Sequence, residues 1–363
     1  MGYFSLPRRS SLVLVGTLLA GSINAEAKDL EPFVFGLPTA LSYNYSIYTA
    51  AMKLGFFEEE GLEATLQGFQ GGSALITQVA NKGVDVGSSS AEPIIIASET
   101  NPARLPITFI YNQNRDYNWQ FVVPDGSPIK TLADLKGKKI GVGSLANSHM
   151  PVTRVMLAEA GLTEGVDYDF IAIGTGAPAF KALLDGSVDA YNTWTANIGS
   201  FEALGNKLQR LPIGERYTGL FQTGFFTHSD YITERPDFIK GFGRAYTKAT
   251  IVCREVPGYC LRSFWEQYPD LKPRDISEDD AIAALVPALQ ISWNHYFAFP
   301  EGQERKFGSY PEGSWEELVS VLHEGGALKE ANVKVDELYT NEFVEAFNDF
   351  DQQSLKALIE TLR

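Results

Sequence analysis

The chain has 363 residues, and 45 Asp and Glu stand against 30 Lys and Arg, for a formal charge of −15. That excess leaves no basic field to attract nucleic acid or an anionic membrane surface. Hydrophobic residues make up 44% of the sequence, enough to exclude a disordered chain and predict a fully folded one.

At the N-terminus Arg8 and Arg9 precede an apolar run from Leu12 to Ala20, followed by small residues around Ala25 and Ala27. This is the layout of a secretory signal peptide over residues 1–27, cleaved on export to the periplasm. The apolar run is about half of the roughly 20 residues that a membrane span needs. No Cys stands at the expected cleavage site, so a lipid anchor has no attachment residue. The remaining chain, about 335 residues, exceeds what one compact core usually fills, and two lobes are expected.

Strand and helix signals then alternate. Phe33-Val34-Phe35 reads as a strand closed by Gly36-Leu37-Pro38. Ile47, Ala50, Ala51 and Leu54 recur at helical spacing, with Gly55 as a stop. A short strand at residues 64–66 runs into Gly71-Gly72. Ser73 stands where an N-cap belongs, ahead of Leu75, Ile76, Val79 and Ala80 on one helix face. Val84-Asp85-Val86 is the next strand, and residues 139–142 form another that leads through Gly143 into a helix. The alternation predicts an α/β protein with mixed, mainly parallel sheets covered on both faces, and a helical C-terminal part after about Asp230.

Residues 72–86 and 176–190 form a weak repeat. Ile76, Val79 and Ala80 match Phe180, Leu183 and Leu184, and Val84-Asp85 matches Val188-Asp189. Each copy reads as a glycine loop, an amphipathic helix and a short strand, which supports two similar lobes. Boundaries are expected near residues 118–121 and 217–221, so the chain crosses between lobes twice. Lobe I would comprise residues 28–120 and 219–363, and lobe II residues 121–218. Trp265, Trp293 and Trp315 read as packing residues. Cys253 and Cys260 would lie roughly 10 Å apart on a continuous helix, too far to bond. Pro257-Gly258 breaks that helix, and an oxidising compartment favours the bridge over two free thiols. Two Cys and four scattered His give no metal-ligand spacing.

Catalytic signatures are weak. Gly141, Gly143 and Ala146 match a dinucleotide fingerprint, but mid-chain, with no nucleotide-binding half before them. Ser148-His149 could suggest a nucleophile and base, yet no elbow motif or positioned acid accompanies them. His149 reads first as a polar helix residue and second as a ligand contact.

Five motifs occur in a telling order. Ile47 to Leu62 carries Gly55-Phe56-Phe57 and Glu60-Gly61-Leu62; Gly71-Gly72-Ser73 and Gly83-Val84-Asp85-Val86-Gly87 follow. Residues 132–141 and then 186–190, with Trp194 beyond, complete the set. Together they resemble the nitrate, taurine and alkanesulfonate binding proteins and the binders of thiamine-pyrimidine precursors. The resemblance covers residues 33 to about 230. It implies a two-lobed, type II periplasmic-binding fold without cofactor, a monomer that hands a small organic ligand to an ABC transporter permease. A branch of the family that makes pyrimidines carries a Cys-Cys-Cys-Phe-Cys segment, and this sequence has none. An exported enzyme acting on a small heterocycle is the alternative reading.

In such a fold the ligand lies at the loops after the strands, where helix N-termini converge. That nominates Tyr43, Tyr45, Ser73, Ser90, Glu92, Arg115, Trp119, Ser144, Asn147, Asn192 and Trp194. The aromatics suit a planar ring or a cation. Glu92 would favour an amine, as in the zwitterion taurine, and Arg115 would pair a carboxylate or sulfonate. A nitrogen-bearing organic ligand, either a pyrimidine-like heterocycle or a zwitterionic sulfonate, is expected.

Overall fold

A computed structural model describes residues 1–2, 29–100, 105–203, 205–299, 302 and 304–363. The expected signal peptide lies outside the described residues, its first two apart. The first sheet begins with β1 (Glu31–Leu37), α1 (Ser46–Lys53), α2 (Phe56–Glu59), β2 (Leu62–Gly68), α3 (Gly72–Ala80), β3 (Val86–Ser90), α4 (Glu92–Thr100) and β4 (Ile107–Asn112). A second sheet is built from β5 (Trp119–Pro124), β6 (Lys138–Val142), α5 (Met150–Glu159), β7 (Tyr168–Ala172), α6 (Ala177–Leu184), β8 (Ala190–Trp194), α7 (Thr195–Glu202) and β9 (Leu208–Arg210). After α8 (Glu215–Thr218) the chain returns through β10 (Thr223–His228) to the first sheet. It ends in α9 (Tyr231–Glu234), α10 (Pro236–Glu255), α11 (Pro257–Gln267), α12 (Glu278–Asn294), α13 (Ser314–Glu324), α14 (Val344–Asn348) and α15 (Gln352–Leu362).

The strand orders are β2-β1-β3-β10-β4 and β7-β6-β8-β5-β9. In each sheet three parallel strands come first, and one strand (β10 or β5) runs against both its neighbours. The sequence repeat falls on equivalent places. The α3–β3 unit puts its strand beside β1, and the α6–β8 unit puts its strand beside β6. Both helices start from a glycine with positive φ, +97° at Gly71 and +70° at Gly176.

Three local expectations are corrected. Ser73 is not the N-cap: α3 starts at Gly72, the backbone of Gly71 makes a turn that disfavours other residues, and Ser73 is exposed. The third strand starts at Val86 and runs through Ser88, Ser89 and Ser90. Asp85 is held back as a tie, its carboxylate accepting the Val34 N–H at 2.8 Å and gripping Arg235 at 2.6 Å. The helix after β6 begins only at Met150, so Ser144 sits in a turn, its Oγ accepting the Ala146 N–H.

The core is aromatic. Phe35, Tyr48, Phe225, Phe242 and Tyr246 pack ring against ring between the first sheet and α10, Phe35 stacked on Phe242 at 5.6 Å. Burying such rings stabilises the fold by about 2–3 kcal/mol each. Trp265, Trp293 and Trp315 are all buried in the helical part. The helix breaks at Val256 between α10 and α11, bringing the Cα atoms of Cys253 and Cys260 to 5.6 Å with a disulfide between them. The C-terminal helices also brace the second sheet. α12 packs on α7, where Gly199 faces Ile291 and Ala288, and α13 packs on α5, where Gly325 lies against Val155. Among the described residues, no helix is long and apolar enough to cross a membrane.

Candidate ligand-binding site

A cavity of about 330 Å³ opens between the two sheets. That is within the range of small-molecule sites, roughly 300–1,000 Å³. Its walls come from the carboxyl ends of the parallel strands. Pro38 to Ala40 follow β1, Ser88 to Ser90 end β3, Gly143 and Ser144 follow β6, and Trp194 ends β8. The antiparallel strands begin at the same edge, which adds Trp119 from β5 and Thr223 from β10. Ligands of open α/β sheets collect at this edge because side chains and free backbone groups diverge there.

Six of the eleven nominated residues line the cavity: Tyr45, Ser90, Trp119, Ser144, Asn147 and Trp194. Trp119 and Trp194 face each other across β5 and β8 in register, edge to face at 5.6 Å. Tyr45 donates to or accepts from Thr39 at 2.6 Å, and burial pushes its hydroxyl up to about 12, so it stays protonated.

The other five sit elsewhere. Tyr43 reaches the second half of the molecule, its hydroxyl 2.9 Å from Ser200 Oγ on α7. Ser73 points to solvent. Arg115 is only 8% exposed, because it donates to the Ser309 carbonyl at 3.0 Å and lies over the Phe299 ring at 4.3 Å. It is a tie to the C-terminal segment. Asn192 is buried behind His149, whose Nε2 lies 3.1 Å from Asn192 Oδ1. Glu92 is 2% exposed, and its Oε2 has no hydrogen-bond partner among the described residues. Desolvation pushes its carboxyl up to about 7, against hydrogen bonds that favour ionisation. It lies outside the cavity lining, so it gives a ligand no direct charge partner.

Several lining residues carry no signal in the local sequence. Tyr48 from α1, Tyr246 from α10, and Ser292 and Tyr296 from the end of α12 and the turn after it complete the aromatic wall. Gln113 sits between Tyr48 and Tyr246 and donates to both hydroxyls. Burial raises both phenols well above their usual range, so they remain neutral. Tyr246, Ser292 and Tyr296 reach the site because α10 and α12 return to it, more than a hundred residues after α1. A periodicity scan reads Tyr48 and Tyr246 as ordinary core.

The lining is therefore aromatic and polar without fixed charge. Among the described residues, no Asp, Glu, Lys or Arg side chain lines the cavity. His149 lines it but is held neutral, its pKa pushed down to about 3 by burial, against the hydrogen bond with Asn192. Among the described residues there is no group of three or more His, Cys, Asp or Glu that could hold a metal ion. Such walls can stack a planar ring and satisfy its donors and acceptors with amides and hydroxyls.

Polar ties join elements of the two halves near the cavity. Ser90 Oγ donates to Ser148 Oγ at 2.9 Å, joining β3 to the loop before α5. His295 bridges Asp116 Oδ1 at 2.5 Å and Thr195 Oγ1 at 2.8 Å, which joins the crossover before β5, the start of α7 and the C-terminal segment.

No curated protein matches the chain in sequence. Among solved structures, the alkanesulfonate-binding protein SsuA of Xanthomonas axonopodis pv. citri, bound to MOPS, has a TM-score of 0.62 at 17% identity, covering 86% of this chain and 99% of its own. The periplasmic nitrate-binding protein NrtA of Synechocystis PCC 6803 gives 0.62 at 14% identity, over 93% and 100%. The desulfurization enzyme DSZB gives 0.56 at 15% identity, over 88% and 99%. These likenesses establish the periplasmic-binding-protein fold. A family model described as NMT1/THI5 like matches residues 42–259, more than half of the chain, and the protein is a member of that family.

Proposed function

We propose that the protein is the solute-binding component of an ABC importer, exported to the periplasm with residues 1–27 removed. It captures a small, planar, nitrogen-bearing organic molecule between lobe I, residues 28–120 and 219–363, and lobe II, residues 121–218. The observation that carries this reading is the uncharged, aromatic cavity drawn from the strand ends of both sheets. A neutral heterocycle of pyrimidine size stacks on Trp119, Trp194 or the Tyr48 and Tyr296 rings and pairs with the surrounding amides. A zwitterion such as taurine fits less well, because Glu92 lies outside the lining and gives its amine no partner. Closure of the lobes buries the ligand, and the closed form docks on an inner-membrane permease.

A thermal-shift screen of the ligand-stripped chain against pyrimidines, aromatic acids, sulfonates, amino acids and nitrate tests it. A compound at a hundred times its Kd stabilises the folded form by about 2.7 kcal/mol. A shift confined to heterocycles supports the reading, and a shift confined to nitrate or alkanesulfonates refutes it. The fold shared with DSZB keeps one rival: catalytic conversion of the bound heterocycle, rather than its unchanged recovery by chromatography, would make the protein an enzyme.

A further inference from the structure

His149 is a cavity residue whose hydrogen-bonding sense is set by the protein. Its ring is stacked face to face on Trp119, with centroids 3.3 Å apart and planes 16° from parallel. A half-turn about Cβ–Cγ would keep this stack but set the Cε1 carbon against Asn192 in place of Nε2, so the hydrogen bond to Asn192 fixes the ring. Its Nε2 meets Asn192 Oδ1, and the orientation of that amide is itself held. Asn192 Nδ2 donates to the Gln120 carbonyl at 3.3 Å, and a backbone carbonyl can only accept. A carbonyl oxygen only accepts, so the proton of the neutral ring resides on Nε2, and Nδ1 is left as a bare acceptor.

Most other polar groups of the lining are hydroxyls and primary amides. These can donate or accept by rotating or turning over, so they adapt to either pattern on a ligand. His149 cannot. We infer that Nδ1 of His149 is the specificity-determining acceptor of the cavity, and that its ligand carries an N–H or amino donor at that point. Asn192 acts through His149 as a positioning residue, which accounts for its burial behind the wall. The inference rests on the cavity being the solute site, and it narrows the solute to heterocycles with a donor-bearing edge. A ligand offering a lone pair there would leave two acceptors face to face in a dry site, a mismatch that costs about tenfold or more in affinity.

The test uses the full-length mature chain, labelled with ¹⁵N, and the ring nitrogen resonances of its histidines. His149→Phe, which keeps a flat ring against Trp119, assigns the His149 signals. The expected spectrum has Nε2 protonated and Nδ1 unprotonated from pH 5 to pH 8; a proton on Nδ1 overturns the inference without using any ligand. The probes are 4-aminopyrimidine, which carries a donor, and pyrimidine, which does not. The expected result is that 4-aminopyrimidine binds, moves the Nδ1 resonance toward the hydrogen-bonded value, and binds His149→Phe at least tenfold more weakly, while pyrimidine leaves Nδ1 unmoved. Binding of 4-aminopyrimidine with Nδ1 unmoved overturns the inference and leaves the solute site standing. If neither probe binds and Nδ1 never moves, the inference also fails, while a thermal shift by another heterocycle keeps the broader reading.

Discussion

Replacing Glu92 with Gln should change how stability depends on pH, in a direction and amount that follow from its burial. The carboxyl is buried, and its pKa is pushed from 4.5 to about 7. Between those values the unfolded chain has released the proton and the folded protein still holds it. The folded state then binds more protons, so stability falls as pH rises from about 4.5 to 7 and is level above. That rise in pKa corresponds to about 3 kcal/mol, most of it lost between pH 5 and pH 8. Gln matches the side chain in size and cannot ionise. Whatever its packing costs, that cost is the same at every pH, so the change with pH is the readout. His149 works with the opposite sign. Its folded pKa lies at about 3 against 6.5, so stability rises with pH between those values. The two slopes nearly cancel from about pH 4.5 to 6.5 in the native protein, and Glu92→Gln uncovers the rising one. Urea unfolding at constant ionic strength and at pH 5, 6, 7 and 8 measures both proteins. The stability of Glu92→Gln relative to native should grow by about 2–3 kcal/mol across that series. A difference that stays constant within about 0.5 kcal/mol would show that Glu92 is solvated or paired, and would refute the reasoning.

Other outcomes follow from the packing. Replacing Cys253 and Cys260 together with Ala opens a loop with a sequence separation of 7. It should lower stability by about 2.5 kcal/mol, seen as a lower urea midpoint with little change in slope. In Gly325→Ala a Cβ would lie 2.2 Å from Val155 Cγ2. This should destabilise by about 1–3 kcal/mol in thermal unfolding. Trp119→Ala should keep the native far-ultraviolet circular dichroism but weaken, by about tenfold, whichever heterocycle raises the melting temperature. Calorimetric titration that finds the affinity unchanged would remove Trp119 from the binding surface.

Much of the architecture is legible locally because backbone geometry writes it into short stretches. The helical spacing of Ile47, Ala50 and Ala51 ends at Gly55, as in the structure, where Gly55 takes φ +72° and Lys53 closes α1. The repeat between residues 72–86 and 176–190 marks two strand–helix units in matching places. Of the eleven residues nominated around the strand ends, six line the cavity. Periodicity and glycine placement mark the strands and helices, since those are properties of neighbouring residues; that a ligand lies at the strand ends came from the resemblance to the binding-protein family.

The chemistry of the site was settled by tertiary packing. Glu92 and Arg115 read as opposing charges for a ligand, but one is buried without a charge partner and the other is spent on the Ser309 carbonyl and the Phe299 ring. Tyr246, Ser292 and Tyr296 reach the cavity only because α10 and α12 fold back over it. The sense of His149 depends on Asn192, 43 residues further on, and on Gln120, 72 residues before that asparagine. Sequence by itself determined the two-lobed α/β pattern and the glycine-led repeat, because those follow from local backbone preference. Only the tertiary structure decided which side chains face the cavity, with what charge and which hydrogen-bonding sense, because burial and long-range contacts set them.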